Sequence, residues 1–202
     1  MKNIEVELRG PLDEKSSLIL HAYLEKNAKL VKKQKRLFFD LSQTIGINNR
    51  TLDVRVKVTN GEVQIVVKSG EPGGTSRREA ELDVDEDSLE HALHVLALLG
   101  YPKGVYGDRG IERYMVGEIE FAVQEVIHVG DGKLHSKFYE AEILTHAENQ
   151  IEAEEKLHAL LSSIGLSVFS REAWNTYEAT INKEANGWFE FGLTDISQFK
   201  TT

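Results

Sequence analysis

The stretch Ile4-Glu5-Val6-Glu7-Leu8-Arg9 alternates apolar and charged residues with a period of two. This period is typical of a β-strand with two different faces. Glu5 and Glu7 then lie about 7 Å apart on one side of the strand, and Arg9 follows on the same side. Two carboxylates and a guanidinium in this order suit a metal site beside an anion-binding residue, or else a solvated strand edge.

The overall composition excludes several classes of protein. The chain has 202 residues, enough for one substantial domain or two very small ones. It lacks cysteine, which excludes disulfides and thiol chemistry. It also lacks a membrane-length apolar run and a signal-peptide pattern, so we expect a cytoplasmic protein without membrane partners. The formal net charge of −9 argues against a general nucleic-acid binder.

The alternation of the first stretch recurs along the chain. Segments 52–58, 62–68 and 77–84 each carry charged residues on one face and apolar residues on the other. Asn60-Gly61 joins the first two as a hairpin turn. Further strands are predicted at 30–41, 105–116, 118–129 and 138–144, helices at 16–27, 88–99, 147–164 and 171–183, and turns or loops at 42–50, 69–75 and 130–132.

About eight two-faced strands and several amphipathic helices must be arranged together. Charged strand faces in bulk water, on a half-solvated sheet, are one solution. The alternative is an α+β fold in which an eight-stranded antiparallel β-barrel with helices packed on the outside encloses a polar interior. Charges inside such a barrel must pair with each other, with metal or with a ligand. We expect this second arrangement, because it also covers the apolar stripes of the helices.

The order of the motifs resembles a known family. Glu5 to Arg9 resembles the ExExK signature of the CYTH proteins, the triphosphate tunnel metalloenzymes. Five further segments are similar to family motifs and follow in the same order: Leu52-Asp53-Val54-Arg55 (LRIR), Ile65-Val66-Val67-Lys68 (LTLK), Arg77-Arg78-Glu79-Ala80-Glu81 (RxExE), Phe138-Tyr139-Glu140-Ala141-Glu142 (FxEIE) and Thr176-Tyr177-Glu178 (Ser-Tyr of the last helix). The resemblance covers nearly the whole chain.

The resemblance implies a triphosphate tunnel that holds Mg²⁺ or Mn²⁺. It implies a catalytic role for Glu5, Glu7 and Arg9. The metal would be placed by Glu5, Glu7, Glu140 and Glu142, assisted by Glu79 or Glu81. The phosphates would be bound by Arg9, Arg55, Lys57, Lys68, Arg77, Arg109 and Arg113. Phosphoryl transfer needs charge neutralisation and positioning, which such residues supply.

Three positions depart from the family pattern. Arg9 stands where the signature has Lys, which keeps the charge and adds a bidentate fork. Ile111 stands where the family has an Arg two residues after Arg109, and Arg113 on the same face is a candidate replacement. Gln124 stands where a metal-associated Asp is common. Asp53, at the first basic position of its motif, is a candidate tether for a neighbouring Arg.

The leading hypothesis is metal-dependent hydrolysis of inorganic triphosphate or a small organic triphosphate. The alternatives are an adenylyl cyclase that forms cyclic AMP from ATP, or a non-catalytic binder of nucleotides or polyphosphate. We expect residues 1–185 to form the tunnel domain of a monomer or homodimer. Residues 186–202 form an aromatic extension that packs on the domain or on a partner subunit.

Overall fold

Segments with a period of two form strands, and segments with a helical period form helices. The computed structural model of the protein describes residues 3–42, 52–70, 76–127 and 136–199. The strands are β1 (Asn3–Leu12), β2 (Lys29–Asp40), β3 (Leu52–Thr59), β4 (Glu62–Ser69), β5 (Ser76–Val84), β6 (Lys103–Val116), β7 (Ile119–Ile127), β8 (Ser136–His146) and β9 (Gly187–Glu190). The helices are α1 (Glu14–Asn27), α2 (Leu89–Leu98), α3 (Gln150–Ile164) and α4 (Arg171–Glu184).

Strands β1–β8 close into a ring. Their order is β2-β3-β4-β5-β1-β8-β7-β6, and β6 pairs again with β2. All of these pairings are antiparallel. Closure satisfies the backbone hydrogen bonds that an open sheet would leave at its edges. The predicted eight-stranded antiparallel arrangement with helices outside it is therefore confirmed.

Local signals fix the ends of several elements. Asp13 caps α1: its side chain accepts a hydrogen bond from Ser16 N at 2.7 Å, and Ser16 Oγ accepts one from Asp13 N. The β3–β4 turn places Asn60 at φ 52° and Gly61 at φ 96°, as a tight hairpin requires. The predicted helix at 147–164 begins as a 3₁₀ turn, Ala147–Asn149, and becomes α-helical at Gln150.

Two apolar clusters cover the ring from outside. On one side, α1 and α3 place Leu20, Leu24, Leu157 and Leu161 against the outer face of β1, where Val6 is fully buried. On the other side, Ala92, Leu93 and Leu96 of α2 pack on the valines of β3. Burial of this apolar surface stabilises the fold and leaves the other face of every strand for polar residues.

The C-terminal aromatic segment packs on the second cluster. Phe189 is fully buried and meets the Phe39 ring edge to face, with ring centroids 5.0 Å apart. The Phe199 ring also lies against the Phe39 ring, with centroids 5.1 Å apart. Residues 187–190 form the short strand β9, which pairs with residues 103–106 of β6. The sequence did not predict this strand, because its four residues carry no clear alternation.

The remaining sequence predictions differ only at the ends of elements. Strand β8 runs two residues further at each end than predicted, and β2 is shifted by one residue. Most of the predicted turns at 42–50, 69–75 and 130–132 lie outside the described residues. Within the described ranges, no helix is both long enough and apolar enough to cross a membrane.

Candidate functional site

The charged faces of the strands enclose one cavity of about 710 Å³. Every site residue predicted from the sequence lines it: Glu5, Glu7, Arg9, Arg55, Lys57, Lys68, Arg77, Glu79, Glu81, Arg109, Arg113, Glu140 and Glu142. The charged faces of the strands therefore line a common cavity, and the alternative of a half-solvated sheet with these faces in bulk water is excluded. The residues' chemical roles remain a prediction.

Three carboxylates meet on one wall of the cavity. Glu5, Glu7 and Glu142 each place an oxygen within 4.8 Å of the other two. The register of β1 and β8 explains this, because Glu7 lies directly opposite Glu142. Burial, together with a hydrogen bond to the Glu79 carboxyl group, raises the pKa of Glu5 to about 9, against the opposing charge of Lys68. The folded site therefore favours the protonated form of Glu5, and a cation bound beside it would oppose this shift.

This acidic cluster fits the implied metal ion. Mg²⁺ and Mn²⁺ prefer hard oxygen ligands and are commonly held by a few carboxylates together with phosphate oxygens. Glu5, Glu7 and Glu142 supply such oxygens and are at most partly exposed. The sequence assigned the metal to a larger set, whereas Glu140, Glu79 and Glu81 lie outside the three-carboxylate cluster.

Glu140 is instead bonded to Arg9. Arg9 Nε donates to Glu140 Oε1 at 2.8 Å, and Arg9 Nη2 pairs with Glu7. The guanidinium carbon also lies 4.7 Å from the centroid of the Trp174 ring. Burial opposes ionisation of Glu140, but the charge and hydrogen bond of Arg9 outweigh it and lower the pKa of Glu140 to about 2.

Two aspartates hold the arginines of β3 and β5. Asp53 accepts a bidentate pair from Arg55, at 2.7 and 2.8 Å, which confirms its predicted role as a tether. Its second oxygen also lies 3.0 Å from Arg77 Nη1. Asp40, 3.5 Å from Arg55 Nη2, adds a further negative charge. Arg55 and Arg77 are therefore already oriented, and Arg77 Nε is buried without a hydrogen-bond partner among the described residues.

Two of the lysines that line the cavity, Lys57 and Lys68, pair with the acids of β5. Lys68 Nζ lies 2.8 Å from Glu79 and 3.0 Å from Glu5. Lys57 Nζ lies 3.5 Å from Glu79 and 3.4 Å from Glu81, whose side chain is half exposed. Burial and the nearby Arg36 lower the pKa of Lys57, while the surrounding carboxylates outweigh burial and raise that of Lys68.

The departures from the family motifs have clear structural consequences. Ile111 is buried and offers no charge. Arg113, two residues on, lines the cavity and hydrogen-bonds Gln34 through Nε at 3.1 Å, and it also pairs with Glu120. Gln124 donates to Glu140 Oε2 at 2.5 Å, so it supports Glu140 instead of adding an acid.

Sequence reasoning missed several residues that line the cavity: Lys32, Gln34, Arg36, Phe38 and Asp40 of β2, Glu120 of β7, and Trp174, Glu178, Ile181 and Asn182 of α4. The alternation of Gln34, Arg36 and Phe38 is the signal that could have identified the β2 residues. The α4 residues follow one helical face, but the sequence does not indicate that this face covers the cavity.

Comparisons with known proteins agree with this architecture. No protein-family model matches the sequence, and a search of curated proteins finds no match. Among solved structures, the PH1819 protein of Pyrococcus horikoshii superposes with a TM-score of 0.66 at 23% identity, over 87% of this chain and 98% of that one. A proposed adenylate cyclase of Vibrio parahaemolyticus gives a TM-score of 0.64 at 19% identity, over 88% and 99%.

A third structure bears on the range of activities found with this fold. It is a proposed adenylyl cyclase from Hippeastrum, described as having a dominant triphosphatase activity, with a TM-score of 0.52 at 16% identity over 98% of this chain and 94% of that one. Identities this low support a shared fold and do not transfer an activity. Together with the ring of strands, these similarities show that the chain shares the fold of these three structures, the fold that its resemblance to the CYTH proteins implied.

Proposed function

We propose that this protein is a metal-dependent triphosphatase that hydrolyses inorganic triphosphate or a small organic triphosphate inside the ring. The observation that carries the proposal is the three-carboxylate cluster of Glu5, Glu7 and Glu142 in a cavity that is also lined with arginine and lysine. Carboxylates suit a divalent cation and guanidinium groups suit phosphate, so both partners of a metal–triphosphate complex find matching groups.

In this proposal, residues at different positions in the cavity have different roles. Glu5, Glu7 and Glu142 would hold the metal, which supplies charge neutralisation and an activated water when bound. Arg9, Arg55 and Arg77 are held in place by buried acids, so their remaining donors are preorganised for phosphate oxygens. Lys68 lies between Glu5 and Glu79 and would contribute positive charge beside the metal cluster.

Glu140 has a supporting role in this proposal. Its carboxylate receives hydrogen bonds from Arg9 and from Gln124, which leaves it poorly placed to serve also as a metal ligand. By fixing the Arg9 fork it would set the position of a group that contacts phosphate. Glu79, hydrogen-bonded to Glu5, would act on the metal cluster in the same indirect way.

A non-catalytic binder of nucleotides or polyphosphate is the second candidate. It is favoured by Ile111 and Gln124, which replace a basic and an acidic residue of the family pattern with uncharged ones. Adenylyl cyclase activity is a third candidate, because the similar Vibrio structure is a proposed adenylate cyclase. The binder predicts ligand binding without turnover. The cyclase predicts cyclic AMP and pyrophosphate from ATP, without release of orthophosphate.

A phosphate-release panel tests the proposal. Purified protein is assayed with Mg²⁺ and with Mn²⁺ on inorganic triphosphate, thiamine triphosphate, ATP and polyphosphate, and cyclic AMP is measured in parallel. We expect metal-dependent phosphate release that falls at least about 100-fold in Glu142→Gln. Glu62→Gln, which removes an exposed carboxylate of β4 outside the cavity, is the matched control and should match the wild type.

The other outcomes are equally informative. Cyclic AMP from ATP would identify a cyclase, and tight triphosphate binding without turnover would identify a binder. Phosphate release that survives in Glu142→Gln would contradict the assignment of the metal to the three-carboxylate cluster.

A further inference from the structure

The basic residues of the cavity fall into two groups. Arg9, Arg55, Lys57, Lys68 and Arg77 each lie within 4.0 Å of at least one carboxylate oxygen. Arg113 pairs with Glu120 in the same way. Arg36 and Arg109 form no salt bridge among the described residues, and neither does Lys32, whose side chain is exposed. Arg36 Nε donates to Thr59 Oγ1 at 3.0 Å, and Arg109 donates to the Asp108 carbonyl at 2.8 Å and to Asn186 Oδ1 at 3.4 Å.

These two arginines are also direct neighbours. The register of β2 and β6 places Arg36 opposite Arg109, and four residues earlier in β2 it places Lys32 opposite Arg113. Like charges directly opposite each other destabilise a sheet. Burial, together with Arg113, lowers the pKa of Arg36, and burial lowers that of Arg109 to about 10. Within the described ranges the fold therefore keeps a buried Arg109 and a partly buried Arg36 side by side with no carboxylate at salt-bridge distance, an arrangement that an anion would stabilise.

The arginine pair lies away from the metal cluster. In the ring order, β2 is four strands from β1 in either direction, so it is directly across the cavity from Glu5 and Glu7. An anionic group bound by Arg36 and Arg109 would belong to a part of the ligand remote from the metal. A triphosphate esterified with an organic group has less charge to offer at that end than a free inorganic chain.

The aromatic residues of the cavity give independent support. Stacking of a nucleobase or another organic ring requires an accessible aromatic face. The guanidinium carbon of Arg109 lies 4.7 Å from the centroid of the Phe38 ring, and that of Arg9 lies 4.7 Å from the centroid of the Trp174 ring. Phe138 packs against Trp174 and Tyr177. Each of the three aromatic rings that line the cavity in the described part of the chain is therefore already engaged.

We propose that Arg36 and Arg109 form an anion subsite for the end of the ligand remote from the metal, so that the tunnel selects linear inorganic polyphosphates over triphosphates that carry an organic group. The inference rests on the proposed function, because it concerns the same cavity. It assigns a specificity role to Arg36, which the sequence motifs did not single out.

Binding measurements on Arg36 variants test the proposal. Dissociation constants for inorganic triphosphate, thiamine triphosphate and ATP are measured by calorimetry without metal, so that turnover does not interfere. We expect the wild type to bind inorganic triphosphate at least about tenfold more tightly than either organic ligand. Arg36→Gln should lower the affinity for inorganic triphosphate by about tenfold or more, and it should change the affinity for each organic ligand by less than about twofold. Arg36→Lys should recover part of the loss.

A neighbouring residue provides the matched control. Lys35→Gln removes one positive charge from the adjacent, exposed position outside the cavity, and should leave all three affinities unchanged. Thermal unfolding without ligand adds a second readout: Arg36→Gln should leave the melting temperature unchanged or raise it, because it removes repulsion between like charges. A purely structural role for Arg36 would instead lower the melting temperature.

Two results would overturn the inference. One is a wild type that binds the organic and inorganic ligands equally well, or that binds none of them. The other is an equal loss of affinity for all three ligands in Arg36→Gln. Metal-dependent hydrolysis combined with either result would leave the proposed function standing. Selective, Arg36-dependent binding without turnover would support the subsite and contradict the triphosphatase.

Discussion

At the scale of single residues, Arg9 shows why its side-chain chemistry matters. Its guanidinium pairs with Glu7 and Glu140 and lies over the Trp174 ring. A planar fork can bond two carboxylates and stack at the same time, whereas an ammonium group is a single point charge. Arg at this position, in place of the Lys of the family signature, thus holds the acidic wall to α4.

The free energy of unfolding should depend on pH in a way that reveals the contribution of the Glu140–Arg9 ion pair. The pKa of Glu140 in the folded protein, about 2, lies below its ordinary value of 4.5. The pair therefore stabilises the fold above about pH 4.5, and this contribution is lost as the pH falls toward 2. Glu140→Gln should cost on the order of 2 kcal/mol in the free energy of unfolding at pH 7 and clearly less at pH 2.5. Urea unfolding at both pH values measures this.

The exposed Glu62→Gln variant is the control for the pH series and should follow the wild type. A Glu140→Gln variant with the same deficit at both pH values would mean that the side chain acts through packing and not through its charge.

At the scale of elements, α4 covers part of the cavity with one face. Trp174, Glu178, Ile181 and Asn182 line the cavity from this helix. Ser170 caps its first turn, accepting from Ala173 N at 3.2 Å. Phe138, Phe169 and Tyr177 pack around Trp174 and hold the helix against the ring. The helix is therefore both a structural cover and part of the proposed site.

Tryptophan fluorescence should detect ligand at α4. Arg9 lies over Trp174, so a phosphate that draws the guanidinium toward itself changes the surroundings of the indole. In Trp188→Phe, where Trp174 is the remaining tryptophan, inorganic triphosphate should change the emission. In Trp174→Phe it should not, because Trp188 lies on β9 outside the cavity and is 57% exposed. Equal responses from both proteins would contradict the predicted contact between Arg9 and phosphate.

At the scale of the whole molecule, the charges of the cavity nearly cancel. Ten acidic and nine basic side chains line it, although the protein as a whole carries a net charge of −9. A triphosphate brings several further negative charges into a space where water screens them weakly. The protein side chains alone do not neutralise that charge, so metal and triphosphate should assist each other's binding.

Thermal shift measurements test this coupling. A ligand that binds only the folded state raises the melting temperature, and coupled ligands raise it more together than the sum of their separate effects. We expect such an excess for Mg²⁺ with inorganic triphosphate, and we expect Glu142→Gln to abolish it while preserving the effect of metal-free triphosphate. Sulfate at matched ionic strength controls for screening. Equal stabilisation by sulfate, or purely additive shifts, would exclude the coupling.

The sequence by itself determined which faces of the strands are charged. The period of two in β1, β3 and β5 is local, and the need to cover the apolar stripes of α2 and α3 favoured a closed ring over an open sheet. These signals, with the order of the motifs, placed all of the predicted site residues on the inner faces. They required no knowledge of which strands are neighbours.

The tertiary structure decided which of those residues meet. Glu142 joins Glu5 and Glu7 while Glu140 bonds Arg9, although both belong to one motif. Arg36 faces Arg109 only because β2 closes the ring against β6 in one particular register. Strand register and ring closure depend on contacts between distant parts of the chain, and a shift of one residue turns each side chain to the opposite face. For this reason the sequence could identify the lining of the cavity, whereas the three-carboxylate cluster and the arginine pair required the folded structure.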